Sequence, residues 1–254
     1  MLDHGMNIAT MLPEIHPENN QEGKPLIELK HVDKVYPTAT GKFFALKDIN
    51  LNIYPAEFVC IVGKSGAGKT TLANMITGVD SLTSGEVLVN GVSVHSIGED
   101  RLALWRGRNL GVIYQTFELM PMLTLLENVM LPMDFCGLFR PRRSRERALE
   151  LLRLVELEDQ VNKLPNAISG GQQQRVAIAR ALANDPSIIV ADEPTGRLDS
   201  VTAETIFLFF EQLIAQGKTI LMVTHDRSEA ERASRILELA DGEIAGQNAP
   251  QGER

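Results

Sequence analysis

Residues Gly63–Thr70 read Gly-Lys-Ser-Gly-Ala-Gly-Lys-Thr, which is the pattern Gly-x-x-x-x-Gly-Lys-Ser/Thr. The apolar run Phe58–Val62 precedes this stretch, and Thr71–Ile76 follows it with the composition of a helix. A glycine-rich turn between a strand and a helix is the context that a phosphate-binding loop requires, because backbone N–H groups and the helix dipole then converge on one point. The sequence therefore predicts a nucleoside triphosphate site at this loop.

Each residue type within this loop suits the binding of phosphate. Glycine lets the backbone turn sharply and keeps side chains away from the phosphates. Lys69 supplies a full positive charge to the β- and γ-phosphates, and the Thr70 hydroxyl is a suitable ligand for Mg²⁺. The predicted phosphate-binding residues are Gly63, Lys64, Ser65, Gly66, Ala67, Gly68, Lys69, Thr70 and Thr71.

The length and composition of the chain limit the kinds of protein that it can be. The chain has 254 residues, 44% of them hydrophobic, which suits one large domain or a domain with an inserted subdomain. It contains no apolar run of about 18 residues and no signal-peptide pattern, so we expect a cytoplasmic protein without a membrane span. Cys60 and Cys136 are too few for a disulfide framework. The net charge of −8 argues against broad binding of nucleic acid.

Hydrophobic periodicity around the loop predicts both antiparallel and parallel strands. Residues 1–24 are polar without a clear period and are predicted to be a disordered tail. Alternation over Ile27–Val32 and Leu46–Ile53, with a hairpin signal at Asn90-Gly91, predicts an antiparallel β region. Further strands are predicted at Leu110–Tyr114, Ile188–Ala191 and Thr219–Val223, with helices after Gly170 and at Thr202–Ala215.

The remaining segments complete this organisation. Residues from about 116 to 168 have helical periodicity and predict a helical insertion. Ile236–Ile244 suggests a closing hairpin, and Ala245–Arg254 a polar tail. We therefore predict one domain over residues 25–244: an α/β core with a mainly parallel sheet, an antiparallel β subdomain and an inserted helical subdomain.

Two carboxylates follow the buried strand Ile188–Ala191. Asp192 and Glu193 lie at the carboxyl end of a parallel strand, which is the edge at which α/β sheets bind ligands. Asp192 suits a Mg²⁺ ion, and Glu193 suits the polarisation of a water that attacks the γ-phosphate. The alternative is a pair of solvated acids, which the phosphate-binding loop upstream disfavours.

The stretch Ser169-Gly170-Gly171-Gln172 opens a predicted helix. Ser169 is suited to cap that helix, and the glycines leave its backbone N–H groups open. A helix N-terminus is also an anion site, so the stretch predicts either a plain helix start or a contact for the free face of the triphosphate.

Over about residues 26–244 the sequence resembles the ATP-binding-cassette (ABC) ATPases, which have a P-loop NTPase core. Gly63–Thr70 matches the Walker A motif, Ser169–Gln172 the signature, and Ile188–Glu193 the Walker B motif with its catalytic glutamate. The resemblance also assigns single residues: Gln115 to the Q-loop, Leu198-Asp199 to the D-loop, His225 to the switch histidine, and Tyr36 to the aromatic ring that stacks on adenine.

The resemblance implies roles for these residues. Glu193, His225 and Gln115 are implied to act in catalysis. The implied Mg²⁺ ligands are Thr70, Gln115 and Asp192. The residues implied to complete the ATP site are Tyr36, Ser169, Gly170, Gly171, Gln172 and Asp199.

Longer runs are similar to the lipoprotein-release and macrolide-export branch of these ATPases. They are Leu125–Pro132, Ser169–Leu182 and Ala191–Ser200. The chain departs from that branch at Ile168, where Leu is usual, and at Arg197, where Asn is common. Arg197 lies beside the expected dimer seam, so the pairing energetics there are open.

The resemblance implies a head-to-tail homodimer that hydrolyses ATP with Mg²⁺ and drives separate permease subunits. The permease would hold the protein at the cytoplasmic face of the inner (plasma) membrane, and the transport would be export or the extraction of lipoproteins or lipids. The alternative is a cassette that does not pump but transmits force or a signal to a membrane partner, as the cell-division ATPase of the branch does.

Other NTP-binding classes fit less well. A GTPase would carry Asn-Lys-x-Asp, and the nearest match, Asn162–Pro165, lacks the Asp. A chromosome-type ATPase would carry a long coiled coil between the Walker motifs, and no sustained heptads are present there. A translation-factor ATPase would hold two cassettes in one chain.

The segment from Phe117 to Arg147 is predicted to contact the permease. It is rich in apolar residues: Phe117, Leu119, Met120, Met122, Leu123, Met133, Phe135, Leu138 and Phe139. Arg140–Arg147 adds five arginines in eight residues, which suit acidic loops of a permease or anionic headgroups. The alternative is that the apolar residues fill the insertion's own core and the arginines solvate a helix start.

Overall fold

The computed structural model describes residues 23–39, 41–196 and 198–248. Most of the predicted N-terminal tail, the departure at Arg197 and the last six residues of the chain lie outside the described residues.

Strands and helices alternate through most of the described chain. The β-strands are β1 (Ile27–Thr38), β2 (Gly41–Ile53), β3 (Phe58–Val62), β4 (Ser84–Val89), β5 (Val92–Ser93), β6 (Leu110–Ile113), β7 (Ile188–Asp192), β8 (Thr219–Thr224), β9 (Arg235–Ala240) and β10 (Glu243–Asn248). The α-helices are α1 (Lys69–Thr77), α2 (Glu99–Asn109), α3 (Leu125–Phe135), α4 (Pro141–Leu154), α5 (Gly170–Ala181), α6 (Ser200–Ala215) and α7 (Arg227–Ala230).

The central sheet has the strand order β10-β9-β3-β8-β7-β6. Five of its strands run parallel, and β10 pairs antiparallel with β9. The strand before the phosphate-binding loop, β3, lies between β8 and β9. Every residue of β3 is buried, because the sheet is covered on both faces. The predicted mainly parallel α/β core is confirmed.

Alternate residues of β3 enter two different hydrophobic cores. Phe58, Cys60 and Val62 pack with buried side chains of α3, α4, α5 and α6. Val59 and Ile61 pack with α1 and the antiparallel sheet. The short strand β3 therefore contributes side chains to both hydrophobic cores, and it leads directly into the phosphate-binding loop. Cys60 and Cys136 are buried and free.

The antiparallel sheet has the order β2-β1-β4-β5 and covers the second core. The two predicted strands are confirmed but are longer than predicted. The register of β1 against β2 shifts between Leu29 and Val35, and His31 adopts a positive φ of 48°. Such bulges interrupt the alternation on which the prediction rested.

The insertion over residues 116–168 contains α3 and α4. Thr124 and Glu127 form a reciprocal capping box at the start of α3. The buried Asn128 donates to the carbonyls of Met120, Leu123 and Thr124, so it ties the preceding loop to this helix. Within the described residues, no helix is long and apolar enough to span a bilayer.

Two features of the fold differ from the sequence-based expectations. Helix α2 was not predicted, and none of its residues is buried, so its sequence carries no continuous apolar face. The polar tail predicted from Ala245 is wrong for Ala245–Asn248, which belong to β10. This strand lies at the sheet edge with mainly exposed residues, so its polar composition is compatible with a strand.

Candidate nucleotide site

The Walker A loop is held by close backbone packing. A Cβ on Gly63 would lie 2.3 Å from the carbonyl oxygen of Leu239, and one on Gly68 would lie 2.4 Å from that of Ala45. Gly68 also has φ +103°, a conformation that L side chains rarely adopt. At these two positions the neighbouring strands leave no room for a side chain.

Lys69 extends back across the loop. Its Nζ donates to the carbonyl oxygens of Gly63, at 2.9 Å, and Lys64, at 3.1 Å. Lys69 is only 7% exposed. An ammonium group has three N–H donors, so these two bonds fix the charge at the loop and leave one donor for a phosphate oxygen.

Asp192 ends β7 beside the loop. Burial raises the pKa of its carboxyl, and the charge of Glu193 adds to that shift, whereas the Thr70 hydroxyl and the Lys69 charge lower the pKa. The structure thus brings Asp192 next to Thr70 and Lys69, as the sequence predicts. A buried carboxylate gains most from a cation placed beside it.

The described residues contain no group of three or more His, Cys, Asp or Glu that could hold a metal. Mg²⁺ at phosphate-transfer sites uses one or two carboxylates and completes its shell with phosphate oxygens and water. Asp192 and the Thr70 hydroxyl fit a nucleotide-bound ion of this kind. Gln115 uses its Nε2 elsewhere, so its carbonyl oxygen is the atom that suits the ion.

Glu193 is held by both other predicted catalytic residues. Gln115 Nε2 donates to Glu193 Oε2 at 2.7 Å, and His225 Nδ1 lies 3.0 Å from Glu193 Oε1. The Glu193 side chain is 18% exposed, and that of His225 is 61% exposed. The three residues come from the ends of β6, β7 and β8 and meet at one edge of the parallel sheet.

Tyr36 lies on β1 within reach of Thr71, which follows the Walker A loop. Its hydroxyl donates to Asp80 Oδ2 at 2.6 Å. Lys34 Nζ lies 4.6 Å from the Tyr36 ring centroid and donates to Asp80 Oδ1 at 2.8 Å. Burial and the Asp80 carboxylate raise the pKa of Tyr36. The ring is therefore fixed by a buried lysine and a carboxylate.

The predicted signature residues, Ser169–Gln172, lie at the start of α5. Ser169 Oγ accepts from the Gln172 N–H at 3.3 Å, and Gln172 Oε1 accepts from the Ser169 N–H at 3.0 Å. A Cβ on Gly170 would touch the Phe117 ring, and one on Gly171 would touch Thr202. Among the contacts described for this stretch, none reaches the Walker A loop.

Asp199 caps α6. Its Oδ1 accepts from the N–H groups of Val201 and Thr202, and its Oδ2 accepts from the Thr202 hydroxyl at 2.7 Å. These hydrogen bonds lower the pKa of Asp199. The carboxylate is committed to its own helix in this structure, and its predicted role in the ATP site stays a prediction.

Sequence reasoning missed several residues of the site. The alternation of β1 places Lys34 on the same face as Tyr36, and this spacing could have identified Lys34. Asp80 carries no such signal, because Lys34 and Tyr36 are distant in sequence, and Glu229 bonds one distant residue, Thr195, besides the nearby Thr224. Glu229 accepts from Thr195 and Thr224, which flank the predicted catalytic residues.

Comparison with known proteins agrees with these motifs. The model of the ABC transporter family matches residues 46–196. An uncharacterised ABC transporter ATP-binding protein of Methanocaldococcus jannaschii, MJ0796, is 48% identical over 223 residues, covering 86% of this chain and 95% of its own length. The macrolide export ATP-binding/permease protein MacB of Shigella flexneri is 46% identical over 220 residues, covering 87% of this chain. That match spans only 34% of MacB.

Solved structures agree with the fold. A dimeric post-hydrolysis state of the MJ0796 cassette, bound to ADP and Pi, matches with a TM-score of 0.84 and 45% identity, covering 89% of this chain and all of that one. A second dimeric structure of the MJ0796 cassette has the same TM-score. The chain therefore belongs to the ABC transporter family, and it is an ATP-binding ATPase similar to the macrolide exporters of the MacB type.

Proposed function

We propose that this ATPase works as a head-to-tail homodimer that hydrolyses ATP, with Mg²⁺, at two composite sites and drives separate permease subunits. The observation that carries this proposal is the division of the site within one chain. The Walker A loop, Asp192 and Glu193 lie together, whereas the stretch Ser169–Gln172 contacts other parts of the same chain. A second copy, turned head to tail, would bring its signature to the open face of the nucleotide.

The relatives support the two kinds of partner. Both solved MJ0796 structures are described as dimeric. MacB is described as an ATP-binding/permease protein, and this chain spans about a third of it. We infer a permease partner on separate subunits, with the ATPase at the cytoplasmic face of the membrane. Export, or the extraction of lipoproteins or lipids, is the activity that we propose.

The side chains divide the reaction between them. Lys69 and the loop N–H groups hold the phosphates, and the charge of Lys69 offsets the negative charge of the transition state. Bound Mg²⁺ would supply further positive charge at the β- and γ-phosphates, next to Asp192 and Thr70. Glu193 accepts a proton from the attacking water. Gln115 and His225 each contact one carboxylate oxygen of Glu193 and so fix the orientation of this side chain.

A groove between α2, β6 and α3 is the proposed permease contact. Its volume is about 630 Å³, and it is lined by Leu104, Met120 and Phe135 among others. Phe135 is 71% exposed. Tyr114 also lines the groove and precedes Gln115, so an occupant of the groove would act on the residue that orients Glu193. A short apolar helix of the permease fits such a groove.

The residues of the predicted contact segment differ in how far their side chains are exposed. Met133 is buried in the first core and is not available to a partner, and Leu119 is partly buried against the same core. Arg147 is largely buried, with Asp185 and the Leu182 carbonyl nearby, and does not belong to the exposed arginine cluster. The exposed residues that remain in the proposal are Met120, Met122, Phe135, Leu138, Arg140, Arg142, Arg143 and Arg145.

Size-exclusion chromatography of Glu193→Gln with MgATP tests the homodimer. Glutamine keeps the shape of Glu193 but is not a base, so ATP should stay bound and hold two chains together. Adding Ser169→Arg should return the protein to a monomer while ATP binding at the Walker A loop persists. A Glu193→Gln protein that binds ATP but stays monomeric would contradict the proposal.

A further inference from the structure

A single carboxylate connects the two loops that carry the predicted catalytic pair. Glu229, on α7, accepts a hydrogen bond from the Thr195 hydroxyl at 2.6 Å on Oε1 and from the Thr224 hydroxyl at 2.7 Å on Oε2. Thr195 is 4% exposed and Thr224 is 2% exposed. Buried hydroxyls that donate to a carboxylate form short, charge-assisted hydrogen bonds, so this connection is a strong one.

The two threonines stand directly beside the reacting groups. Thr195 follows Glu193 by two residues, and Thr224 immediately precedes His225. His225 Nδ1 in turn lies 3.0 Å from Glu193 Oε1. The chain and these hydrogen bonds therefore close a ring that runs from Glu193 through Thr195, Glu229 and His225 back to Glu193. The ring joins the end of β7 to the end of β8.

The backbone of Glu193 explains why such a ring matters. Glu193 has a positive φ of 46°, which a residue with a side chain adopts only when its surroundings impose it. Its N–H donates to the Val223 carbonyl at 2.8 Å, and its carbonyl accepts from the Gly196 N–H at 3.2 Å. The Thr195–Glu229 bond adds a side-chain contact two residues further along the chain. Glu229 therefore helps to hold the backbone that sets the direction of the Glu193 carboxylate.

We propose that Glu229 is a positioning residue for ATP hydrolysis, which holds Glu193 and His225 in register with each other. The proposal rests on the proposed roles of Glu193 and His225 and adds a residue that touches neither substrate nor metal. Asp226 supports it by capping α7 through the Ser228 N–H at 2.8 Å, which sets the turn from which Glu229 points inward.

Steady-state ATP hydrolysis by the full chain tests this role. Glu229→Val removes both acceptors, and we expect kcat to fall by about 10- to 100-fold, since a misplacement of about 1 Å can cost 10²-fold in rate. KM and the affinity for a fluorescent ATP analogue should stay unchanged, because the Walker A loop is not part of the ring. Glu231→Val is the matched control: Glu231 is an exposed carboxylate two residues further on, and its loss should leave kcat unchanged.

A second variant guards against a failure to fold. Glu229→Gln keeps the length and shape of the side chain but retains one acceptor oxygen, so kcat should fall by less than in Glu229→Val. Thr195→Val combined with Glu229→Val should be no worse than Glu229→Val alone, because Glu229→Val already removes the bond to Thr195. Each melting temperature is measured alongside.

Two results would overturn the proposal. One is an unchanged kcat in Glu229→Gln and in any folded Glu229→Val. The other is a lower melting temperature with kcat intact, which would make Glu229 purely structural. Failure of the proposed function looks different: Glu193→Gln would then hydrolyse ATP at the parent rate, whatever Glu229 does.

Discussion

Two helix N-termini face the phosphates in the proposed dimer, and they differ in how their N–H groups are used. Helix α1 begins after Gly68, which has no side chain to cap it, so its first N–H groups are open to a ligand. Helix α5 begins after Ser169, whose hydroxyl and the Gln172 side chain form a complete capping box. The first helix start has no side-chain cap, whereas at the second the Gln172 N–H is bonded to Ser169.

This difference indicates an order of binding. An anion at α1 displaces no side-chain cap, whereas one that binds the Gln172 N–H of α5 competes with a capping interaction worth about 1 kcal/mol. ATP should therefore bind the Walker A loop of a single chain first. The signature should engage only when a second chain brings that ATP to it, which makes ATP binding precede dimer formation.

The largest effect is expected at the Walker A loop, which precedes α1. Lys69→Ala removes the charge that two loop carbonyls hold in place, and ATP hydrolysis should be abolished. The lost charge-assisted bond is worth about 1.5–3 kcal/mol in binding alone. Lys163→Ala, at an exposed lysine in the helical insertion, is the control and should hydrolyse ATP normally. Parent-level turnover by Lys69→Ala would refute the Walker A assignment.

Mixing two inactive variants tests whether the Walker A loop of one chain and the signature of another form one site. Lys69→Ala and Ser169→Arg chains should each be inactive alone. Mixed, they form heterodimers in which the intact Walker A loop of one chain meets the intact signature of the other, so a fraction of the parent rate should return. ATPase assays over a range of mixing ratios measure this, and the recovered rate should peak at equal amounts. Absence of any recovery, with heterodimers present by pull-down, would contradict the composite site.

A smaller effect is expected at the groove between α2, β6 and α3. Phe135→Glu should weaken capture of the permease from detergent-solubilised membranes by tenfold or more, in the range of an interface anchor of about 2 kcal/mol. Hydrolysis by the isolated protein should not change. Leu208→Glu is the control, since Leu208 is 48% exposed on α6 outside the groove. Equal capture by both variants would place the contact elsewhere.

The smallest effect concerns Asp80, which anchors Tyr36. Burial alone would raise its pKa, but hydrogen bonds from Lys34 and Tyr36 leave the pKa of Asp80 below its ordinary value of 3.8. A lowered folded-state pKa contributes stability above pH 3.8, and that stability is lost as the pH falls through the lowered value. Urea unfolding of the parent and Asp80→Asn should therefore differ near neutral pH and converge in acid. A constant difference would rule out this ionisation as the cause.

Local sequence patterns predicted where residues lie in the fold best when the strand or helix that positions them is close in sequence. The Walker A loop, the Walker B carboxylates and the capping residue Ser169 each lie within a few residues of the strand or helix that positions them. The rule that parallel strands end at one edge predicted the place of Asp192 and Glu193, whereas Gln115 and His225 were assigned by the resemblance to the ABC ATPases. The structure agrees, with Glu193 in contact with both other side chains.

Contacts between distant segments were not predictable in the same way. Glu229 lies 34 residues from Thr195, and nothing in its surroundings marks it as an acceptor. Helix α2 lacks buried residues, so periodicity gives no signal for it. Leu119 and Met133 read as exposed candidates because apolar composition alone does not distinguish an insertion's own core from a docking surface.

The position of β3 has a consequence for the order in which the protein is made. Its two neighbours in the sheet, β8 and β9, begin only at Thr219 and Arg235. The Ala67 carbonyl of the Walker A loop also accepts from the N–H of Gly242. When the ribosome has synthesised the Walker A loop, the strands β8 and β9 that flank β3 in the sheet have therefore not yet been made. Nascent chains that end before β8 should fail to bind ATP, and the site should form only as the last strands emerge.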